Sequence, residues 1–128
     1  MIDLASGTLF FDDDTEVDPR ITRPKFLTSP HEVPSKPDEA SAPPWSIYTL
    51  APRMLDGHKF ASRLSFNGDA LELLAIWNAE VEEAARLERH EIWMQIQFGQ
   101  GPFVFSWGKV ESLTEPNGGG SIILFSYM

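Results

Sequence analysis

Two clusters of acidic side chains are the residues whose type and spacing most clearly suggest a function. They are Asp12, Asp13 and Asp14 near the N-terminus and Glu80, Glu82 and Glu83 at the start of the longest helical pattern. The chain has 19 acidic against 10 basic residues, a formal net charge of -9. Complementary charge steers a protein onto its partner and raises the association rate. We therefore predict that the six carboxylates form a partner-binding surface for a basic protein, although such charge also serves ordinary solubility.

Metal ligation is not predicted at either of the two patterns that approach a metal motif. His90 begins a helical zinc-protease pattern, but Met94 stands where the second imidazole is required. Acidic residues alternate from Asp12 to Asp18 as in a calcium loop, but Val17 replaces the required glycine and Arg23 the closing glutamate. The chain also has no Cys. We expect no metal and no cofactor.

Catalytic signatures are incomplete in this sequence. It contains three His, no Cys and no Gly-x-Ser-x-Gly segment, so no nucleophile and base are paired by a local motif. Four Trp, at positions 45, 77, 93 and 107, fall on different predicted elements and fit a shared core. A non-enzymatic protein is the favoured interpretation, and a small-ligand-binding or enzymatic domain with an aromatic-lined cavity is the alternative.

Length and composition define the class of protein. The chain has 128 residues, of which 42% are hydrophobic, so residues 1–128 suffice for one domain with one core. Its negative charge disfavours nucleic-acid binding, because the phosphate backbone repels it. No N-terminal leader pattern and no long apolar run is visible, so we expect a cytoplasmic protein that does not bind membranes.

The surest predicted element is a helix over about 79–97, with Asn78 as its N-cap and Gly99 after its C-terminus. Its apolar stripe consists of Val81, Ala84, Ala85, Leu87, Ile92, Trp93 and Ile96. The preceding residues 70–77 are ambiguous. The pair Asn67-Gly68 predicts a tight turn that makes them a strand, whereas Asp69 followed by Glu72 resembles a capping box that would make them the start of the helix. We favour the strand.

Residues 29–44 are rich in proline and show no periodicity, which predicts an extended connector on the outside of the fold. A turn is expected at 52–57, and further strands at 45–50, 58–66, 103–111 and 121–127. Gly108, inside one of them, suggests a bulge or a close backbone approach.

The fold class expected from this pattern is α+β, with an antiparallel sheet of five to seven strands and the long helix packed on one face. The residues expected in the core are Phe60, Leu64, Phe66, Trp93, Ile96, Phe105, Trp107, Ile122 and Leu124. A strand at the sheet edge could also pair with another chain, so a structural or adaptor homo-oligomer is a further alternative.

Several segments together resemble a poorly characterised group of small bacterial proteins that are often encoded near polymorphic toxins or type VI secretion genes. The matching segments are Phe26-Leu27-Thr28-Ser29, Trp45-Ser46-Ile47-Tyr48, Leu64-Ser65-Phe66 with Asn67-Gly68, the helical positions Glu83, Arg86, His90, Met94 and Gly99, then residues 105–112, 121–123 and Tyr127. Neighbours of such genes tend to be immunity proteins. The resemblance implies an α+β protein that neutralises a cognate toxin, and it supplies no catalytic residues. The proline-rich stretch is longer than the link usual in the group.

Overall fold

The computed structural model describes residues 1–29, 37–38, 41–114 and 120–128, which form eight strands and two helices. In chain order these are β1 (Leu9–Phe10), β2 (Glu16–Val17), α1 (Arg23–Leu27), β3 (Trp45–Leu55), β4 (His58–Asn67), β5 (Ala70–Asn78), α2 (Glu83–Phe98), β6 (Val104–Phe105), β7 (Gly108–Thr114) and β8 (Ser121–Tyr127). The larger sheet has the strand order β3-β4-β5-β8-β7-β6, with antiparallel pairing throughout. The predicted α+β class is confirmed.

Two tight turns build the first half of the larger sheet. Asp56 and Gly57 join β3 to β4, and their φ angles of 50° and 84° suit the left-handed turn that matches the twist of a hairpin. Gly68 and Asp69 join β4 to β5, between the paired residues Asn67 and Ala70. Residues 70–78 are therefore a strand, as favoured from the turn signal.

Strand β3 continues through the segment predicted as a turn. The expected turn at 52–57 is wrong, because pairing resumes at Arg53 after an irregularity that follows Leu50. Pro52 lies at this bulge on an edge strand, where its missing N–H breaks no ladder bond. The turn is confined to Asp56 and Gly57.

Strand β7 begins later than predicted because the chain first makes a short hairpin. Residues 103–111 do not form one strand, since Val104 pairs back onto Lys109 around a turn at 106–107. Gly108 has φ 149°, and a Cβ at this position would overlap the carbonyl oxygen of Ser126 on β8. The predicted close backbone approach at this glycine is confirmed.

One face of the larger sheet carries the core, and we call it the inner face. Helix α2 packs there, where Trp93 contacts Phe60 and Phe125 at ring-centroid distances of 6.0 and 6.4 Å. Segments preceding the sheet add to the same core, as Phe26 does against Phe66. The opposite, outer face carries the alternate residues of each strand.

The core prediction is wrong at several positions. In β8 the buried residues are Ser121, Ile123, Phe125 and Tyr127, so Ile122 and Leu124 lie on the outer face, half-exposed. The residues 122–125 are all apolar, and alternation therefore could not choose between the two faces. Ile96, also predicted to lie in the core, is 73% exposed.

The core prediction is confirmed at Phe60, Leu64, Phe66 and Trp93. Phe105 and Trp107 are only half-buried, and their rings stack on each other with centroids 4.9 Å apart.

The proline-rich connector lies partly outside the described residues, which omit 30–36 and 39–40. Its described part runs beside β3. The Asp38 N–H donates to the Ile47 carbonyl at 2.7 Å, the Ile47 N–H donates to Ser41 Oγ at 2.9 Å, and the Thr49 hydroxyl donates to the Asp38 carboxylate at 2.8 Å. These contacts cover part of an edge strand, which would otherwise expose unpaired backbone groups.

Candidate functional site

A groove between the C-terminal half of α2 and the β3–β4 turn is the candidate site. It has a volume of about 170 Å³. Its lining consists of Asp56, His58, Phe60, Asn78, Arg89, Ile92, Trp93, Ile96 and Gln97. Phe60 and Trp93 are buried, whereas Ile92 and Ile96 are 51% and 73% exposed on its helical wall. An apolar groove with exposed isoleucines is typical of a surface that contacts another molecule.

Asp56 fixes the end of the groove nearest the turn. Its Oδ2 accepts hydrogen bonds from Trp93 Nε1 and Gln97 Nε2, each at 3.0 Å, and its Oδ1 accepts one from the Met1 amino group at 2.9 Å. Helix and turn are therefore linked by charge-assisted hydrogen bonds, which are stronger than neutral ones. The φ of 50° at Asp56 is one that Asp tolerates better than most residues. These bonds hold the helix and the turn together at one end of the groove.

Two of the six predicted carboxylates do not line the groove but contact residues that do, Asp56 and His58. Asp12 accepts hydrogen bonds from the backbone N–H groups of Asp56 and Gly57 at 2.8 and 2.9 Å. Glu80 Oε1 contacts His58 Nδ1 at 3.2 Å and accepts the Lys59 backbone N–H. Both carboxylates remain at the surface while they hold the adjacent strands.

The other four predicted carboxylates engage different groups. Asp13 accepts hydrogen bonds from the Thr15 hydroxyl and backbone N–H, which hold the pKa of its carboxyl below the usual value, with Arg53 adding a smaller effect. Asp14 is exposed with a φ of 68°. Glu82 is the N-cap residue of α2 without a side-chain cap bond, and Glu83 lies 4.0 Å from Arg86. In the part of the chain that the structure describes, no hydrogen bond or ion pair joins these four carboxylates to a residue that lines the groove.

Helix α2 begins at Glu83, later than the predicted residue 79. Asn78 is not its N-cap, because the Asn78 side-chain oxygen accepts the Glu80 N–H at 2.8 Å in a turn directly after β5. The helix buries His90, Trp93 and Met94. The apolar stripe predicted from the sequence is therefore wrong as a core face, since Trp93 is its only buried member.

His90 lies in the core beneath the groove, with its ring stacked on that of Phe60 at a centroid distance of 6.2 Å. Its Nε2 accepts the Asn78 backbone N–H at 2.8 Å, and its Nδ1 lies 2.9 Å from Ser121 Oγ. The Asn78 N–H can only donate, so in the neutral ring Nδ1 carries the proton and donates to Ser121. Burial, and secondly Arg86, lowers the His90 pKa to about 4. A ring with both nitrogens occupied ties α2 to β5 and β8.

Among the residues that the structure describes, no three or more His, Asp and Glu side chains are grouped so that they could hold a metal ion. None of the helices described is long and apolar enough to cross a membrane. The sequence pattern placed Ile92 on the apolar stripe of the helix and Trp93 and Ile96 in the core, and it missed the groove. The Asp56-Gly57 pair, a strong hairpin signal, was the feature that could have located it.

Comparison with protein-family models, with curated proteins and with solved structures found no match to this chain.

Proposed function

We propose that this chain is a non-enzymatic, cytoplasmic protein-binding module that neutralises a basic partner, in the manner of an immunity protein and its cognate secreted toxin. The observation that carries the proposal is the groove itself. Ile92 and Ile96 are exposed beside the hydrogen-bonded pair Trp93 and Asp56. Asp12 and Glu80 contact the lining residues Asp56 and His58. Apolar anchors surrounded by charge are the usual arrangement of a protein-binding surface.

The charge around the groove favours a basic partner over an acidic one. Arg89, on the helical wall, is the permanently charged basic side chain of the lining. Three carboxylates lie around the groove: Asp56 on the turn, Glu80 beside His58, and Glu88 on the exposed surface of the helix one turn before Ile92. The whole chain adds a net charge of -9. A partner with an apolar side chain for the groove and Lys or Arg around it would gain both contact area and electrostatic steering.

The volume of the groove argues for a protein partner over a small-molecule substrate. About 170 Å³ is below the roughly 300–1,000 Å³ of sites that enclose a drug-sized ligand. The buried imidazole beneath it is also occupied at both nitrogens. The groove therefore suits one or two inserted side chains.

Suppression of toxicity tests this function directly. The chain is co-expressed with each basic, growth-inhibiting protein found among the products of the genes adjacent to its own, and bacterial growth is measured. We expect the wild-type chain to restore growth and Ile92→Asp/Ile96→Asp to fail, because a charge in the groove would be desolvated without a partner. Val104→Asp, at a residue 69% exposed on the edge strand β6, is the matched control and should suppress as the wild type does. Full suppression by the groove variant would contradict the proposal.

A further inference from the structure

The outer face of the larger sheet is apolar across its central strands. Leu73 and Trp77 on β5 and Ile122 and Leu124 on β8 lie there, half-exposed, and Leu113 on β7 is 37% exposed. Within residues 1–29, 37–38, 41–114 and 120–128, the helices α1 and α2 and the strands β1 and β2 pack on the inner face or at the sheet margins. Asp38 of the connector contacts the outer face only at Thr49, on the edge strand β3. Strands with only one covered face normally alternate apolar and polar residues.

The sequences of β5 and β8 have the pattern of strands that are buried on both faces. Residues 73–77 and 122–125 are continuous apolar runs, and only four of these nine residues, Leu74, Ile76, Ile123 and Phe125, lie on the inner face. Near-continuous apolar runs are typical of strands covered on both sides. The outer face therefore has the composition of an interface.

The distribution of charge and size on this face is complementary to itself. One row across four strands reads Arg63, Ala75, Leu124 and Glu111, because each of these residues pairs with the next across the sheet. Consider a two-fold axis that lies between two facing copies, parallel to the strands and above the line between β5 and β8. It places Arg63 of each copy opposite Glu111 of the other, so the pair occurs twice. The same axis places the small Ala75 opposite the large Leu124.

The neighbouring row obeys the same symmetry. Ser65, Leu73, Ser126 and Lys109 are successive partners across the same four strands. The axis places Lys109 opposite the neutral Ser65 of the second copy, so like charges do not meet. Within one chain the Lys109 ammonium lies 3.0 Å from the Glu111 carboxylate. Arg63 lies over the Trp77 ring, 5.3 Å from its centroid, and no carboxylate of the described residues is within ion-pair distance of it. Glu111 could therefore contact both bases in a dimer.

We propose that this outer face is the interface of a symmetric homodimer, in which two sheets pack face to face about an axis parallel to β5 and β8. Closed two-fold symmetry requires one self-complementary patch, and the rows through Arg63 and Lys109 meet that requirement. Sheets that pack in this way keep their strands within about 30° of each other. The helical groove lies on the opposite side of each sheet and stays accessible in the dimer.

Sedimentation velocity of the purified full chain tests the interface. We expect a species of twice the 14.4 kDa chain mass in a concentration series that reaches a few hundred micromolar. Leu124→Glu should raise the dimer dissociation constant by about 100-fold or more, because two carboxylates would be desolvated in an apolar contact, each beside Glu111 of its own chain. Ile96→Glu adds the same charge on the helical side and should leave the dimer intact. Circular dichroism establishes that each variant is folded.

A charge exchange separates this geometry from any other dimer. Arg63→Glu and Glu111→Arg should each weaken the dimer, and the double variant Arg63→Glu/Glu111→Arg should restore it. A wild-type chain that is monomeric throughout the series would overturn the proposal. So would a dimer that survives Leu124→Glu, a double variant no better than the single ones, or an outer face that becomes protected from hydrogen exchange only when a different protein is bound.

Discussion

The Trp93 indole N–H donates a hydrogen bond to the Asp56 carboxylate at 3.0 Å and thereby joins the long helix to the turn between the first two strands of the main sheet. Trp93 also contacts Phe60 and Phe125, so one side chain belongs both to the core and to the wall of the groove. The shape of the proposed partner-binding surface consequently depends on the same contacts that stabilise the fold.

Replacing Asp56 should loosen the helix from the turn. Asp56→Ala removes the acceptor for both Trp93 Nε1 and Gln97 Nε2 and places alanine at a φ of 50°. We expect the free energy of unfolding in urea to fall by about 2–3 kcal/mol. Asp56→Asn keeps one side-chain oxygen and tolerates the same backbone conformation, so its loss should be smaller. Equal losses in the two variants would contradict the role given to the hydrogen bonds.

His90 should make the stability of the fold depend on pH. Its pKa is about 4 in the folded chain against an ordinary value of 6.5, so between these values the unfolded state binds more protons. The neutral ring therefore contributes fully above about pH 6.5, and the contribution is lost as the pH falls towards 4. We expect a decline of about 1.4 kcal/mol for each pH unit in that window.

A variant with a non-titrating side chain isolates this effect. His90→Gln keeps an acceptor for the Asn78 N–H, and the difference in unfolding free energy between wild type and variant should shrink as the pH falls from about 6.5 to 4. Chemical denaturation at several pH values measures it. A difference that is constant with pH would show that the ring titrates normally in the folded chain.

Gly108 should tolerate no side chain. Gly108→Ala places a Cβ against the Ser126 carbonyl oxygen at a φ of 149°, so strands β7 and β8 must separate. We expect a loss of about 3 kcal/mol or more in thermal or chemical denaturation. Gly57→Ala is the matched control, because its φ is 84° and nothing lies within 4 Å of the added Cβ. Its loss should be only about 1 kcal/mol. Similar losses of stability in the two variants would mean that the contact between the added Cβ and the Ser126 carbonyl oxygen costs nothing beyond the positive φ angle.

The sequence predicted the elements of this fold better than it predicted which side chains are buried. The glycine turn signal identified β5, and Gly108 indicated a close approach of two strands. The faces of β8 could not be assigned because both sets of its alternating residues are apolar. His90 could not be placed because its burial depends on the Asn78 N–H and the Ser121 hydroxyl, which come from two other strands.

The candidate site was predicted only in part, for a similar reason. Asp12 and Glu80 were recognised by charge, but their place beside one groove follows from bonds to residues 56–59, far from either in sequence. Ile92 and Ile96 fit the apolar spacing of a buried helix face. Their exposure arises because α2 turns His90 and Met94 to the sheet, and spacing alone does not specify that rotation.

The most direct measurement of the central claim is the rate at which the chain associates with the basic protein whose toxicity it suppresses, followed by stopped-flow at several ionic strengths. We predict that rising salt slows association of the wild type, and that Glu80→Lys slows it at low salt by about tenfold. Asp69→Lys makes the same charge change in the β4–β5 turn, at the other end of β4 from the groove, and should have a much smaller effect. Equal rates for the wild type and both variants, unchanged by salt, would contradict the proposal that a basic partner is steered to this groove.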